Sequence, residues 1–115
     1  MADLNEAIDF DMGIEGFYSK DPNDAGGETI WSIARKKNPQ WKGWPIVDIL
    51  KSHPDFPNNC RENQQLIRLR NEFLAANFWG PIGGDGIEDQ ALANQVLRMA
   101  VNSGVHEALL LLKES

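Results

Sequence analysis

The chain has little of what several function classes need. Of 115 residues only Cys60 is a cysteine, so no disulfide can close within the chain; that suits a reducing compartment without excluding export. Basic residues are outnumbered, 11 Lys and Arg against 17 Asp and Glu for a net charge of −6, and no broad surface is available to neutralise nucleic-acid phosphates. The local exception is Arg35, Lys36, Lys37 and Lys42. No apolar run is long enough to cross a bilayer, which argues against stable membrane insertion. Asp3, Glu6, Asp9 and Asp11 occupy the place where a secretory leader needs basic and then apolar residues, so the chain is expected to be cytoplasmic as synthesised. His53 and His106 are far apart and lack metal-ligand spacing, which leaves no zinc site to argue. There is no internal repeat or low-complexity tract.

What remains is the composition of an ordinary globular protein, 42% hydrophobic and 24% charged, with length for a single domain over residues 1–115 and no second core. The spacing predicts a mainly α fold. A helix over 3–15 is signalled by Asp3 and Glu6 at capping-box spacing and by Leu4, Ala7, Ile8 and Met12 near helical period, with Gly13 or Gly16 to end it. Residues 19–28 are dense in turn formers and read as an ordered loop, with room for a short β-hairpin over 18–30. Thr29 to Lys37 reads as a short helix stopped before Pro39, and Pro45 to Lys51 as another. The longest helix is expected from Asn59 to about Phe78, with Leu66, Ile67, Phe73, Leu74 and Phe78 as its apolar stripe. A further helix over 87–102 buries Leu92, Val96, Met99 and Ala100. The last, over 105–112, is apolar nearly all round at Leu109 to Leu112 and wants cover from the core, a partner, another copy of the chain or residues of a longer parent protein.

The chemistry concentrates between Glu15 and Thr29, EGFYSKDPNDAGGET. Cleaving a glycosidic bond needs an acid that protonates the leaving oxygen and a second group that holds the attacking water or the ring charge. Glu15 ends a helix, where the macrodipole disfavours a carboxylate, and Ile14 and Phe17 flank it. Asp24 lies on a polar loop rich in backbone N–H donors, which favour a carboxylate. Oppositely tuned acids are what acid and base roles require. Asp24 or Thr29 could then hold the water in an inverting arrangement.

The words around these residues resemble glycoside hydrolase family 108, whose N-acetylmuramidases carry E-G-G-Y, then D-P-x-D-x-G-G-x-T, then W-x-P and V-N-x-G. Here they stand as Glu15-Gly16-Phe17-Tyr18, Asp21-Pro22-Asn23-Asp24-Ala25-Gly26-Gly27-Glu28-Thr29, Trp79-Gly80-Pro81 and Val101-Asn102-Ser103-Gly104. The resemblance spans about residues 8 to 104 and implies a lysozyme-like helical domain. It makes Glu15 the catalytic acid of cleavage between N-acetylmuramic acid and N-acetylglucosamine, with Asp24 and Thr29 completing the triad. The implied partner is a peptidoglycan glycan strand, reached in the periplasm after release or export, as by a phage or prophage endolysin. The chain departs from the pattern at Phe17 and at Ser32, both places where glycine is usual. Phe17 either narrows the cleft or desolvates Glu15. No C-terminal peptidoglycan-binding segment is evident.

Each candidate also has a plainer reading. Asp24 and Thr29 can serve as turn and cap residues. Tyr18, Phe17, Trp41 and Trp44 can bind sugar or simply pack, with Trp41 and Trp44 the tryptophans best placed to line a cleft. Asn102 can cap a helix end or face the substrate. Asp21, Asn23, Asp24 and Gly26 have the look of a calcium loop, but Ala25 and Ser32 stand at positions where ligands belong, so neither metal nor cofactor is expected. The alternative function is a non-catalytic peptidoglycan-binding or secretion-associated module that keeps the fold.

Overall fold

A computed structural model of the chain describes residues 1–20 and 27–114. Helix α1, Leu4–Glu15, starts where the Asp3 side chain accepts the N–H groups of Asn5 and Glu6 at 2.7 and 3.4 Å, satisfying donors that a helix start leaves orphaned. It ends at Gly16, whose φ of 85° lies where only glycine sits without strain. The chain then enters a small antiparallel sheet of order β1-β2-β3, with β1 Tyr18–Lys20, β2 Glu28–Ile30 and β3 Ile33–Ala34. The hairpin expected over 18–30 is therefore β1 and β2, in register Tyr18 with Ile30, Ser19 with Thr29 and Lys20 with Glu28.

The expected helix over 29–37 does not form. Ile30 and Ile33 face each other across β2 and β3 and are both buried, which a pleated hairpin achieves and which suits β-branched side chains. The two residues between them, Trp31 and Ser32, have φ of 49° and 65°, the positive pair a two-residue hairpin needs.

Helix α2, Trp44–Leu50, carries Pro45 in its first turn, where a missing N–H costs nothing. The single helix expected over 59–78 is instead α3, Asn58–Glu62, and α4, Gln64–Leu74, followed by a π-helical turn, Ala75–Trp79. The break falls at Asn63, whose extended backbone and side-chain oxygen, accepting from the Leu66 N–H at 2.9 Å, start a new helix. The π turn, closed by Gly80 N–H to Ala75 O at 2.7 Å, brings residues five apart onto one face. That sets the rings of Phe73 and Phe78 6.2 Å apart. Helix α5, Gln90–Ser103, starts at Asp89 and ends at Gly104 with φ 103°. Helix α6, Val105–Glu114, folds back onto it.

Helices α1 and α5 pack together, and their core includes Ile8, Val96, Leu97 and Ala100 with Ile30, Trp44, Val47, Leu66 and Leu74. Of the apolar run in α6, Leu111 and Leu112 lean on this core while Leu109 and Leu110 are exposed. The fold is mainly α with one small sheet, and no described helix is long and apolar enough to cross a membrane.

Candidate functional site

The Gly16 turn aims the end of α1 across the sheet, and the gap between them opens as a cleft of about 350 Å³. Glu15, Phe17 and Tyr18 line it from one side, Thr29, Ser32 and Ile33 from the sheet, and Phe73, Phe78, Val101 and Asn102 from α4, the π turn and α5. Lys37 and Asn38 close its end and also line an adjoining hollow with Pro39, Gln40, Trp41 and Phe73. The two share Lys37, Asn38 and Phe73 as lining residues. Among the described residues, Glu15, Phe17, Tyr18, Thr29 and Asn102 are thus brought together by segments far apart in sequence. Asp24 lies outside the described residues.

Glu15 is not sealed in an apolar pocket. Its side chain is 35% exposed and its Oε1 accepts from Arg98 Nη2 of α5 at 2.8 Å, while Ile14 is half exposed. Phe17 turns its ring edge-on to Trp31, with centroids 5.1 Å apart, and forms part of the cleft wall without covering the acid. The Tyr18 hydroxyl donates to Glu28 at 2.6 Å and its ring packs edge-on against Phe56, with centroids 5.0 Å apart. Thr29 sits mid-strand between Ser19 and Ala34, half buried. Trp44 is core: it is 1% exposed and its indole N–H donates to the Asn38 carbonyl at 2.8 Å. Trp41 is also buried, with its indole N–H on the Leu69 carbonyl at 3.3 Å, and contributes to the adjoining hollow. Arg35 of the basic cluster is held by Asp48 and Glu28, and Lys37 is the cluster member that lines the cleft.

Beneath the cleft lie groups that the sequence reading passed over. Asp11, one helical turn before Glu15, is 3% exposed and accepts from the Ser32 hydroxyl at 2.6 Å and from Asn102 Nδ2 at 3.3 Å. Burial pushes its carboxyl above the ordinary range, and the bonds from Ser32 and Asn102 offset part of that. Its signal was an acid at an apolar-stripe position of α1, beside Ala7 and Ile8. Asn102 also donates to the Arg98 carbonyl at 2.9 Å, so its amide is oriented from two sides. Arg98, which holds Glu15, carried no sequence signal, because its partner is 83 positions away.

On the sheet's other side, Glu28 accepts from Tyr18 at 2.6 Å, Lys51 Nζ at 2.7 Å and Arg35 Nη1 at 2.9 Å. The arrangement ties β1, β2 and α2 together. Among the described residues, no cluster of three His, Cys, Asp or Glu side chains could hold a metal.

An exposed acid beside a groove, a hydroxyl on the groove's sheet face and an oriented amide opposite can in principle donate a proton to a bound oxygen and hold polar substituents of a polymer. Neither a search of curated proteins nor one of solved structures finds a match. A family model described as glycosyl hydrolase 108 matches residues 8–104, a span that takes in Glu15, Thr29, Arg98, Asn102 and the buried Asp11. The chain belongs to the glycosyl hydrolase 108 family and carries a glycoside hydrolase domain.

Proposed function

We propose that the protein is an N-acetylmuramidase that cleaves the bond between N-acetylmuramic acid and N-acetylglucosamine in peptidoglycan, with Glu15 as general acid. The observation that carries this reading is the placing of Glu15, Thr29 and Asn102 on one cleft in a chain of this family. The glycan strand lies along the groove from Glu15 toward Lys37 and Asn38. The ion pair of Glu15 with Arg98 belongs to the resting enzyme; it opens as sugar enters, the carboxylate takes up a proton from solvent, and Glu15 gives that proton to the leaving oxygen. Thr29 or Asp24 holds the water that attacks the opposite face, which inverts the anomeric centre. Asn102, whose Nδ2 donates to Asp11 and to the Arg98 carbonyl, presents its amide oxygen to the sugar substituents. The enzyme acts on the periplasmic wall.

Replacing Glu15 by Gln keeps the shape and one acceptor for Arg98 but removes the transferable proton. Clearing of a peptidoglycan suspension is expected to fall by about 10²–10⁴-fold, with the circular-dichroism spectrum unchanged. Undiminished clearing overturns the assignment. The second reading, a wall-binding module without turnover, is motivated by the engagement of Glu15 with Arg98. It is the outcome if the wild-type protein sediments with insoluble peptidoglycan yet never clears it.

A further inference from the structure

The opposite side of α1 opens onto a second cavity, of about 410 Å³. Met12, Phe17 and Trp31 give it apolar walls, and its charged groups are Asp9, Arg61 and Arg70. Phe17 lines both this cavity and the cleft, so the two spaces share a wall. The guanidinium of Arg61 lies 4.3 Å over the Phe17 ring and that of Arg70 lies 4.9 Å over Trp31.

Stacking uses the face of a guanidinium and leaves its in-plane donors to find acceptors. Arg70 is 8% exposed, and its Nε and Nη2 donate to Asn71 and Asn5, both neutral, at 2.9 and 2.8 Å. Among the described residues, neither Arg70 nor Arg61 forms an ion pair, Asp9 included. A buried cation without a counter-ion is costly, and burial lowers the Arg70 pKa, an effect that Asp9 partly offsets from a distance. The cation–π stack explains how the arginines are held. It does not explain an open space into which two cations and one anion face.

We propose that this cavity is a subsite for an anionic oxygen group, a carboxylate of the peptide stem that branches from the glycan strand; this rests on the muramidase reading above. A carboxylate matches the guanidinium fork. A strand lying in the cleft carries its stems sideways, and Phe17 lines both the cleft and the cavity.

Muramyl dipeptide, whose stem ends in a free carboxylate, is titrated into ¹⁵N-labelled protein while the Trp31 indole and Arg61 Nε–H signals are followed. Saturable shifts are expected, and binding at least tenfold weaker for the amidated compound and for Arg61→Gln. Arg61 is exposed, so that variant should fold. The preference in kcat/KM for stem-bearing over stem-stripped glycan strands should also fall about tenfold in Arg61→Gln. Absent shifts, equal loss on both substrates, or shifts produced by inorganic phosphate but not by muramyl dipeptide overturn the proposal. A wild-type protein that cleaves neither substrate overturns the muramidase reading and leaves the titration to decide the cavity.

Discussion

Asp11 and Glu28 are both buried acids, 3% and 7% exposed, and both brace the sheet that forms one side of the cleft. Their partners differ. Asp11 receives a hydroxyl and an amide, from Ser32 and Asn102; Glu28 receives a phenol and two cations, from Tyr18, Lys51 and Arg35. For each, burial is the largest single influence and pushes the carboxyl up. At Asp11 that push prevails, since neutral donors offset only part of the desolvation. At Glu28 the bonds from Lys51, Tyr18 and Arg35 together outweigh it and bring the carboxyl below its ordinary value. Asp48, held first by the Arg35 hydrogen bonds, is also well below the usual carboxylate range. Similar burial therefore gives pKa shifts of opposite sign, and the choice of donor decides which. Glu28 is a fixed anion locking β1, β2 and α2, whereas Asp11 is a costly charge kept beside the groups that line the cleft.

The strongest way to break this comparison is Glu28→Gln. The amide keeps one acceptor but no charge for Lys51 and Arg35, whose ion pairs are left to Asp48 at the surface. Removing one partner of a buried pair costs roughly 3 kcal/mol, or about 10 °C in Tm for a domain of this size. A loss under about 1 kcal/mol would put the cluster among ordinary surface ion pairs and dissolve the contrast with Asp11.

A subtler effect separates the two acids by pH. Glu28 has a lowered folded-state pKa, so its contribution to stability is present above the unfolded carboxylate range and is lost as pH falls through the folded value. Asp11 has a raised one, so the folded state binds its proton more tightly and stability falls as pH climbs from the unfolded toward the folded pKa. In urea unfolding followed from about pH 7 down to about pH 3, the deficit of Glu28→Gln should therefore shrink toward acid. Asp11→Asn should instead gain on the wild type as pH rises, ending within about 1 kcal/mol of it at neutrality. Slopes of the same sign would show that folding shifts the two carboxyls in the same direction.

Much of this was legible in the sequence where the signal is local. Asp3, the period of Leu4, Ala7 and Ile8, and Gly16 delimit α1 almost to the residue. The family words place Glu15, Thr29 and Asn102, which share the cleft. The hairpin over 28–34 was hidden because Ile30 and Ile33 also stand at helical spacing and because its turn uses Trp31 and Ser32, not the Asn-Gly that announces such turns. The break at Asn63 was hidden inside an unbroken helical period. Trp44 could be recognised as a large aromatic, but only the carbonyl waiting for its indole N–H decides between core and cleft. The Glu28 cluster and the Glu15–Arg98 pair join distant segments, and no spacing rule reaches them.

The smallest effect tests how the Asp11 side tolerates its turn. Ser32 holds φ 65°, a left-handed conformation that costs a side chain about 1–2 kcal/mol and that glycine adopts freely. Its hydroxyl, 2.6 Å from the Asp11 carboxyl, is the compensation: a bond to a charged acceptor contributes about 1.5–3 kcal/mol. Ser32→Ala keeps the strain and loses the bond, so it should cost about 2 kcal/mol. Ser32→Gly loses the bond and the strain together, so it should fall within about 1 kcal/mol of the wild type. In the Asp11→Asn background the acceptor is neutral, and the penalty of Ser32→Ala should drop by about 1 kcal/mol, read as a coupling in the double-mutant cycle. Equal penalties for Ala and Gly would mean that the turn stores no strain, and a coupling near zero would mean that the hydroxyl does not depend on the charge of Asp11. Either result would remove the reason for a serine at this turn and, with it, the reason for keeping an expensive buried acid one helical turn from Glu15.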